Sequence, residues 1–204
     1  MLKYVFFNRK TEMSNAPDFK LNGNWAKYTP GTHIMTQAYQ TYNHMIDRTK
    51  PGGKFQAKRP TYIGTSNGFT DFQQFADWAI QQVGYGVPGY QLDKDLLVPG
   101  NKVYCQETCC FLPREINMAL QRDQSNKKSG LPVGIYRNHK SDLKATISIR
   151  GKNVHLASTP TSTEADIAHL SALYETAKSA YLKALAIEHQ LNLDPRAFAA
   201  LMAL

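Results

Sequence analysis

Residues 144–150 alternate strictly between polar and apolar side chains, and this alternation constrains the fold more than any other feature of the chain. Successive side chains of a β-strand point to opposite sides, so the apolar positions share one face. A Gly-Lys turn at 151–152 and an apolar-polar run at 153–157 predict a returning strand. Residues 133–137 predict a preceding one. The inward residues of the central strand are Ala145, Ile147 and Ile149.

A long amphipathic helix is predicted after this sheet. Thr161 and Glu164 have the spacing of a capping box, and apolar side chains then recur at three- and four-residue steps. Such a stripe needs an apolar surface, and the apolar sheet face supplies one. Asp194 and Pro195 predict the start of a last short helix. The stripe consists of Ile167, Leu170, Tyr174, Ala177, Tyr181 and Ala184.

Packing the helix on one face leaves the polar face of the sheet open. Cations are rarely buried there, so this face meets solvent or a partner. A sheet or β-ribbon can enter the major groove of DNA, where Lys, Arg, Ser and Thr reach phosphates and bases. The pattern leaves two alternatives open, a double-stranded DNA partner and an ordinary solvated strand face. The predicted DNA-facing residues are Arg137, Lys140, Lys144, Thr146, Ser148, Arg150, Lys152 and His155.

The charge distribution favours a polyanionic partner. The formal net charge is +8, and residues 1–60 and 118–160 carry 10 and 8 Lys/Arg against 3 and 2 Asp/Glu. The stretch between them, 61–117, has 3 Lys/Arg and 6 Asp/Glu. Two basic stretches around an acidic one suit a nucleic acid plus a local cation site. The alternative is a basic surface without a partner.

Upstream of the sheet, residues 1–30 predict a basic N-terminal arm, because they lack steady periodicity. Helical spacing predicts helices over 31–47 and from Thr70 or Asp71 to Val83. Between these helices, 49–60 predicts a loop with four cations. These cations are Lys50, Lys54, Lys58 and Arg59.

A strand, a loop, a second strand and a helix are predicted over residues 90–121. The first strand is 90–97, residues 102–104 pair back on it, and the helix begins near Pro113. Ser125 to Gly130 reads as a linker and predicts the domain boundary.

Residues 130–182 contain a series of short motifs whose order and spacing are informative. They are 130–135 (Gly-Leu-Pro-Val-Gly-Ile), 143–149, Gly151-Lys152, His155-Leu156, 163–166 (Thr-Glu-Ala-Asp), Tyr174, Ala177 and Tyr181. In this order the motifs resemble the AP2-type DNA-binding domain. The resemblance implies three strands on a packed helix, with the strands reading the major groove. Where that family has a glycine after the last strand's leucine, this chain has Ala157, which bears on base specificity more than on the fold.

A second set of motifs precedes the first. They are 92–96 (Leu-Asp-Lys-Asp-Leu), 100–104, 107–109, 113–117 (Pro-Arg-Glu-Ile-Asn) and, upstream, 72–78. Together they resemble phage-encoded HNH-type, homing-like endonucleases, in which such a block often precedes an AP2-like domain. The implied fold is α+β, with an HNH-like strand-loop-strand-helix unit in a domain at 31–124. An AP2-like three-stranded sheet on a long helix, with C-terminal helices, follows at 130–204.

The HNH resemblance implies a site for one Mg²⁺ or Mn²⁺ ion. Asp93 matches the strand carboxylate and Asn117 the helix ligand, while Asn101 would orient the base or brace the loop. The position expected to be His is Lys94. A lysine acts as a base only when burial or neighbouring cations hold it uncharged, and Asp95 beside it opposes this.

Three hypotheses therefore stay open for this centre. The first is DNA cleavage with Lys94, or a distant His33 or His44, as base. The second is metal binding without catalysis, and the third is that Asp93, Lys94 and Asp95 form surface ion pairs in a retained fold. We favour a metal-dependent DNA endonuclease. The alternatives are a catalytically inactive DNA-binding protein, as regulator or host-directed factor, and a module that contacts a host protein.

The cysteines and the hydropathy exclude other classes. An odd, clustered set predicts neither a disulfide framework nor a zinc site. No apolar run has the length of a membrane span, and we expect an intracellular protein. The resemblance to phage-encoded endonucleases implies that it acts in the cytoplasm of an infected bacterial host. The cysteines are Cys105, Cys109 and Cys110.

Overall fold

The computed structural model describes residues 16–120, 130–138 and 142–204, and its fold is mixed α+β. The chain divides into two compact units, Met1–Ile80 and Gln81–Leu204. The predicted linker at 125–130 lies, except for Gly130, outside the described residues, so a domain boundary there stays a prediction. Among the described helices, none combines the length and the apolar character that crossing a membrane requires.

A short β-hairpin lies within the predicted N-terminal arm. Strands β1 (Lys20–Leu21) and β2 (Asn24–Trp25) flank a two-residue turn, Asn22–Gly23, with φ of 51° and 83°. Positive φ at both turn positions matches the twist of paired strands, and Asn-Gly tolerates it. The backbone of Trp25 exchanges hydrogen bonds of 2.6 and 3.1 Å with the Gln73 side chain. Residues 20–25 are thus docked on their unit, while 1–15 lie outside the described residues.

The N-terminal unit packs two helices through aromatic rings. Helix α1 (Gln37–Thr49) is followed by the short α2 (Lys54–Lys58), a 3₁₀ turn (Pro60–Tyr62) and β3 (Ser66–Asn67). Helix α3 (Phe72–Ala79) then begins at its predicted cap, because the Asp71 side chain accepts a hydrogen bond from the Gln74 N–H at 2.9 Å. Ring centroids 5.1–5.8 Å apart join the helices. The rings belong to Tyr39, Tyr42, Phe69, Phe72, Phe75 and Trp78.

The second unit opens with three short strands and a helix. Strand β4 (Tyr90–Asp93) is followed by β5 (Val103–Tyr104), β6 (Cys110–Pro113) and helix α4 (Arg114–Leu120). The prediction that residues 102–104 pair back on β4 is wrong, since β4 pairs antiparallel with β6, Asp93 opposite Cys110. Strand β6 is buried at every position and therefore lacks the alternation that marks a half-buried strand.

The predicted three-stranded sheet is present. Strands β7 (Ile135–Arg137), β8 (Leu143–Ile149) and β9 (Lys152–Thr159) form an antiparallel sheet in sequence order. A bulge at Ala145/Thr146 leaves Leu156 as the extra residue of β9.

Helix α5 (Glu164–Glu188) serves two cores of the second unit. Its N-terminal half packs Leu170 on the apolar sheet face, with Leu131, Ile135, Leu143 and Ala145. Its C-terminal half packs on β6 and α4. There a second cluster includes residues of α6 (Pro195–Met202), which follows a 3₁₀ turn at Gln190–Asn192. This cluster comprises Leu96, Cys110, Leu112, Ile116, Leu182, Leu185, Ala186, Leu193, Ala197 and Leu201.

Both helix starts in this part of the chain use side-chain caps. The capping box of α5 joins Thr163 and Asp166, two residues beyond the predicted Thr161 and Glu164. The cap of α6 is the predicted Asp194, which accepts a hydrogen bond from the Arg196 N–H at 2.8 Å.

Candidate functional site

Asp93 ends β4 as a buried carboxylate that supports the following turn. Its side chain Oδ2 accepts hydrogen bonds from the backbone N–H groups of Asp95 and Leu96, at 2.9 and 2.8 Å. The residue is 5 % exposed. Burial raises the pKa of Asp93 above the usual carboxyl range, although the two N–H groups oppose the shift. The carboxylate therefore has a structural role in the loop that begins here.

Lys94 and Asn101 hold the two ends of that loop together. The Lys94 Nζ donates to Asp95 Oδ1 at 2.5 Å and to the Asn101 carbonyl oxygen at 2.6 Å, and it lies 5.8 Å from the centroid of the Tyr104 ring. Asn101 Nδ2 donates to the carbonyl oxygens of Lys94 and Val103, at 2.9 and 2.6 Å. Of the two roles predicted for Asn101, this geometry supports bracing the loop.

The Lys94 side chain is 5 % exposed. Strand alternation would place Lys94 and Asp95 on opposite faces, but β4 ends at Asp93 and the two side chains meet beyond it. We hence describe Lys94 as a loop brace whose ammonium group is enclosed by Asp95, Asn101 and Tyr104.

Asn117 lies on α4 behind β4, and it is 4 % exposed. Its Nδ2 donates to Gln91 Oε1 at 3.1 Å, two residues before Asp93 on the strand. Within residues 16–120, 130–138 and 142–204, no group of three or more His, Cys, Asp and Glu side chains is placed to hold a metal ion. Asp93 and Asn117 are the residues that would hold an ion here, and both are buried and already hydrogen-bonded within the fold. The metal site stays a prediction.

The cysteines lie beside this loop. Cys109 and Cys110 are fully buried, and burial raises the pKa of the Cys109 thiol to about 12 and that of Cys110 higher still, with Asp93 adding to both shifts. Thiols with such pKa values are neutral near pH 7 and act as small apolar side chains. Cys105 is half-buried, with its Sγ 3.2 Å from the Thr108 hydroxyl. His33 and His44, the distant bases considered above, belong to the N-terminal unit.

The sheet has one polar face that points away from α5. Cross-strand partners share a face, and the register places Tyr136, Lys144 and Ser158 in one row. We call this the outer face. Its seven members are Tyr136, Lys144, Thr146, Ser148, Asn153, His155 and Ser158. Four of them are among the predicted DNA-facing residues, whereas Tyr136, Asn153 and Ser158 are not and are assigned to this face by the strand register.

Arg137 is not on the outer face, and the prediction that placed it there is wrong. Ile135 is 1 % exposed and pairs with Ala145, so alternation turns Tyr136 outward and Arg137 back to the helix side. There Arg137 donates a hydrogen bond to the Ser162 hydroxyl.

Arg150 also does not lie on the outer face, contrary to the prediction, because it belongs to the turn that follows β8. Arg150 and Gly151 have φ of 49° and 77° and form the two-residue hairpin loop. The Arg150 guanidinium pairs with Glu188 and lies 4.0 Å from Glu115. Lys152 is exposed opposite Ile149, on the helix side of the register, and Lys140 lies outside the described residues.

No family model, no curated protein and no solved structure matches this chain. The fold and the site define a mixed α+β protein with a two-faced antiparallel sheet.

Proposed function

We propose that this protein binds double-stranded DNA through the outer face of its three-stranded sheet. The observation that carries the proposal is the difference between the two faces. Leu143, Ala145 and Ile147 are at most 2 % exposed beneath α5, whereas the seven side chains opposite all carry hydrogen-bonding groups. Apolar burial holds the sheet in place, and the polar face is available for a partner.

The chemistry of the outer face suits the major groove. Lys144 can neutralise a phosphate or donate to guanine, and Asn153 can pair with adenine. Ser, Thr and Tyr hydroxyl groups contact phosphates or bases. A three-stranded sheet backed by a helix is also the arrangement that the AP2 resemblance implies, which supports the same partner. The helix behind the sheet keeps the strands rigid while they contact DNA.

Fluorescence anisotropy with a labelled duplex over a range of salt concentrations tests the proposal. The loss of one phosphate contact makes the slope of log K against log salt less steep by about 0.9, and it weakens the affinity about 8-fold at 0.1 M salt. We expect this from Lys144→Ala and not from Lys102→Ala, which removes an exposed lysine outside the sheet. Equal affinity and slope for Lys144→Ala and the unmodified protein would refute the outer face as the DNA contact.

The second candidate function is metal-dependent cleavage of that DNA. It is favoured by a buried carboxylate, Asp93, at the end of the first of the three short strands before helix α4, with Asn117 on that helix. It is disfavoured by Lys94, because an enclosed ammonium ion that already donates to two oxygens is not poised to take a proton. The geometry accordingly supports a DNA-binding protein without catalysis better than it supports the endonuclease.

A cleavage assay separates these two alternatives. Plasmid DNA is incubated with Mg²⁺ or Mn²⁺, or with a chelator, for the unmodified protein and for Asp93→Asn. We expect DNA binding without cutting. Metal-dependent cutting that is lost in Asp93→Asn would instead establish the nuclease and leave the base to be found.

A further inference from the structure

Helix α2 and the loop before it carry a cluster of cations that the proposed function does not use. Residues 48–70 contain five Lys or Arg and no Asp or Glu. Four of the five are exposed, and among the described residues none of these four forms an ion pair. Like charges held close together repel each other unless a counter-charge is near. We call the exposed four the α2 patch: Lys50, Lys54, Lys58 and Arg59.

The α2 patch is held in a defined position. The Gln56 side chain is buried and donates from Nε2 to the Arg48 carbonyl oxygen at 3.0 Å, which ties α2 to the end of α1. Lys54 and Lys58 are four residues apart and so share one face of α2. A fixed helix therefore presents these two ammonium groups together.

Aromatic rings support the guanidinium group of Arg59, which belongs to the patch, and that of Arg48 beside it. The Arg59 guanidinium carbon lies 5.6 Å from the centroid of the Phe55 ring, and that of Arg48 lies 5.9 Å from both the Phe55 and the Tyr62 rings. The two rings are themselves packed edge to face at 5.1 Å. Stacking restricts a long arginine side chain, so less conformational entropy is lost when it meets an anion.

We propose that the α2 patch is a second DNA contact, which binds the phosphate backbone of the duplex without reading its sequence. The proposal rests on the proposed function only in taking the same duplex as partner. Duplex DNA carries one charge per about 1.7 Å of axis, so a cluster of cations can reach several phosphates. Contacts of this kind supply affinity, while contacts to base edges in the grooves supply specificity.

A nucleic acid fits this patch better than an anionic membrane does. Helices that lie in a membrane interface bury a long apolar face among the lipids. Helix α2 has five residues, and its one large apolar side chain, Phe55, is already packed against Tyr62 and two arginines. The exposed side of α2 offers charge without an apolar anchor.

The test uses the full chain, the same labelled duplex and two matched double variants. Lys54→Gln/Lys58→Gln removes two charges from the α2 patch, and Lys178→Gln/Lys183→Gln removes two from α5. If both patch lysines contact phosphates, the slope of log K against log salt is less steep by about 1.8 in the patch variant. Its affinity at 0.1 M salt is then weaker by a factor on the order of 60. The α5 variant should bind as the unmodified protein does, and circular dichroism checks that both variants are folded.

Each outcome bears on one proposal. Unchanged binding by the patch variant, or an equal loss in the α5 variant, overturns the α2 patch as a DNA contact. Neither result affects the Lys144→Ala experiment, which tests the outer face separately. A loss in the patch variant with normal binding by Lys144→Ala supports the patch and refutes the outer face. Patch-dependent sedimentation with phosphatidylserine vesicles, without any duplex binding, overturns the proposal in favour of a membrane surface.

Discussion

The outer face of the sheet and the 93–101 loop are both rich in polar side chains, but they differ in which atoms remain open to a ligand. In the loop, Asp93, Lys94 and Asn101 are engaged with one another's backbone or with neighbouring residues. On the outer face, Lys144 and its neighbours lie on a surface whose apolar counterpart is buried. The comparison teaches that residue type alone does not define a binding site. Burial and prior hydrogen bonding decide whether a polar group stabilises the fold or meets a partner.

The largest expected effect tests how closely the sheet approaches α5. Gly134 precedes β7 with φ of 78°, and a Cβ there would lie 2.1 Å from the buried Tyr174 ring. We expect Gly134→Ala to lower the free energy of unfolding by about 3 kcal/mol, since it combines overpacking with a left-handed backbone. Urea denaturation measures this.

Gly151→Ala is the matched control for Gly134→Ala. Its φ is 77° but a Cβ there meets nothing within 4 Å, so only the backbone cost of about 1 kcal/mol applies. Equal losses in the two variants would contradict the close packing of β7 on Tyr174.

The next prediction compares the same substitution, lysine to methionine, in the 93–101 loop and on the outer face. Lys94→Met removes an enclosed ammonium group and its bonds to Asp95 and Asn101, and we expect it to lower the free energy of unfolding by about 2 kcal/mol. Lys144→Met should leave stability nearly unchanged and weaken DNA binding. Thermal denaturation and anisotropy, applied to both variants, separate a structural lysine from a binding one. If Lys94→Met is as stable as the unmodified protein, the hydrogen bonds of Lys94 do not stabilise the loop.

The sequence predicted the sheet and the helix behind it because strict alternation and a long apolar stripe are local patterns that burial enforces. It misplaced the end of the stripe, since Tyr181 packs with the β6 and α4 cluster and Ala184 is exposed. It misplaced the partner of β4, since residues 110–113 are buried on both sides and show no alternation. It also misplaced Arg137 and Arg150. The direction of Arg137 depends on the register with β8, and that of Arg150 on a turn with positive φ, and neither is visible in a short stretch of sequence.

The hydrogen bonding of Lys94 is a further feature that could not be predicted from the sequence. Its partner is a backbone carbonyl seven residues away, at Asn101. A carbonyl oxygen carries no residue signature, so none of the three hypotheses for Asp93, Lys94 and Asp95 included this contact. The enclosure of this lysine became visible once the loop was folded.

The smallest effect concerns pH and uses two acid-to-amide variants with opposite signs. Burial raises the pKa of Asp93, so the folded state binds this proton more tightly than the unfolded state does. The stability of the unmodified protein relative to Asp93→Asn should therefore rise as pH falls from 7 towards about 4. The asparagine Oδ1 can still accept from the two N–H groups, which keeps the turn intact.

Asp194 supplies the opposite sign. Burial opposes its ionisation, but hydrogen bonds from the Arg196 side chain and from the N–H groups of Arg196 and Ala197 hold the pKa of Asp194 below its usual value. The advantage of the unmodified protein over Asp194→Asn should consequently shrink as pH falls below about 4. Urea denaturation from about pH 3 to 7 measures both differences, and slopes of one sign for both variants would contradict the contrast between the two carboxylates.

Repeating the Asp93→Asn series with excess Mg²⁺ decides how this carboxylate relates to a metal. A bound divalent cation favours the ionised carboxylate and would bring the pKa of Asp93 down again. If the loop has only a structural role, the pH slope is the same with and without Mg²⁺, and Asp93 belongs with Lys94 to the closed region of the molecule. If Mg²⁺ flattens or reverses the slope, Asp93 is open to a cation, and the sharp difference between the loop and the outer face no longer holds.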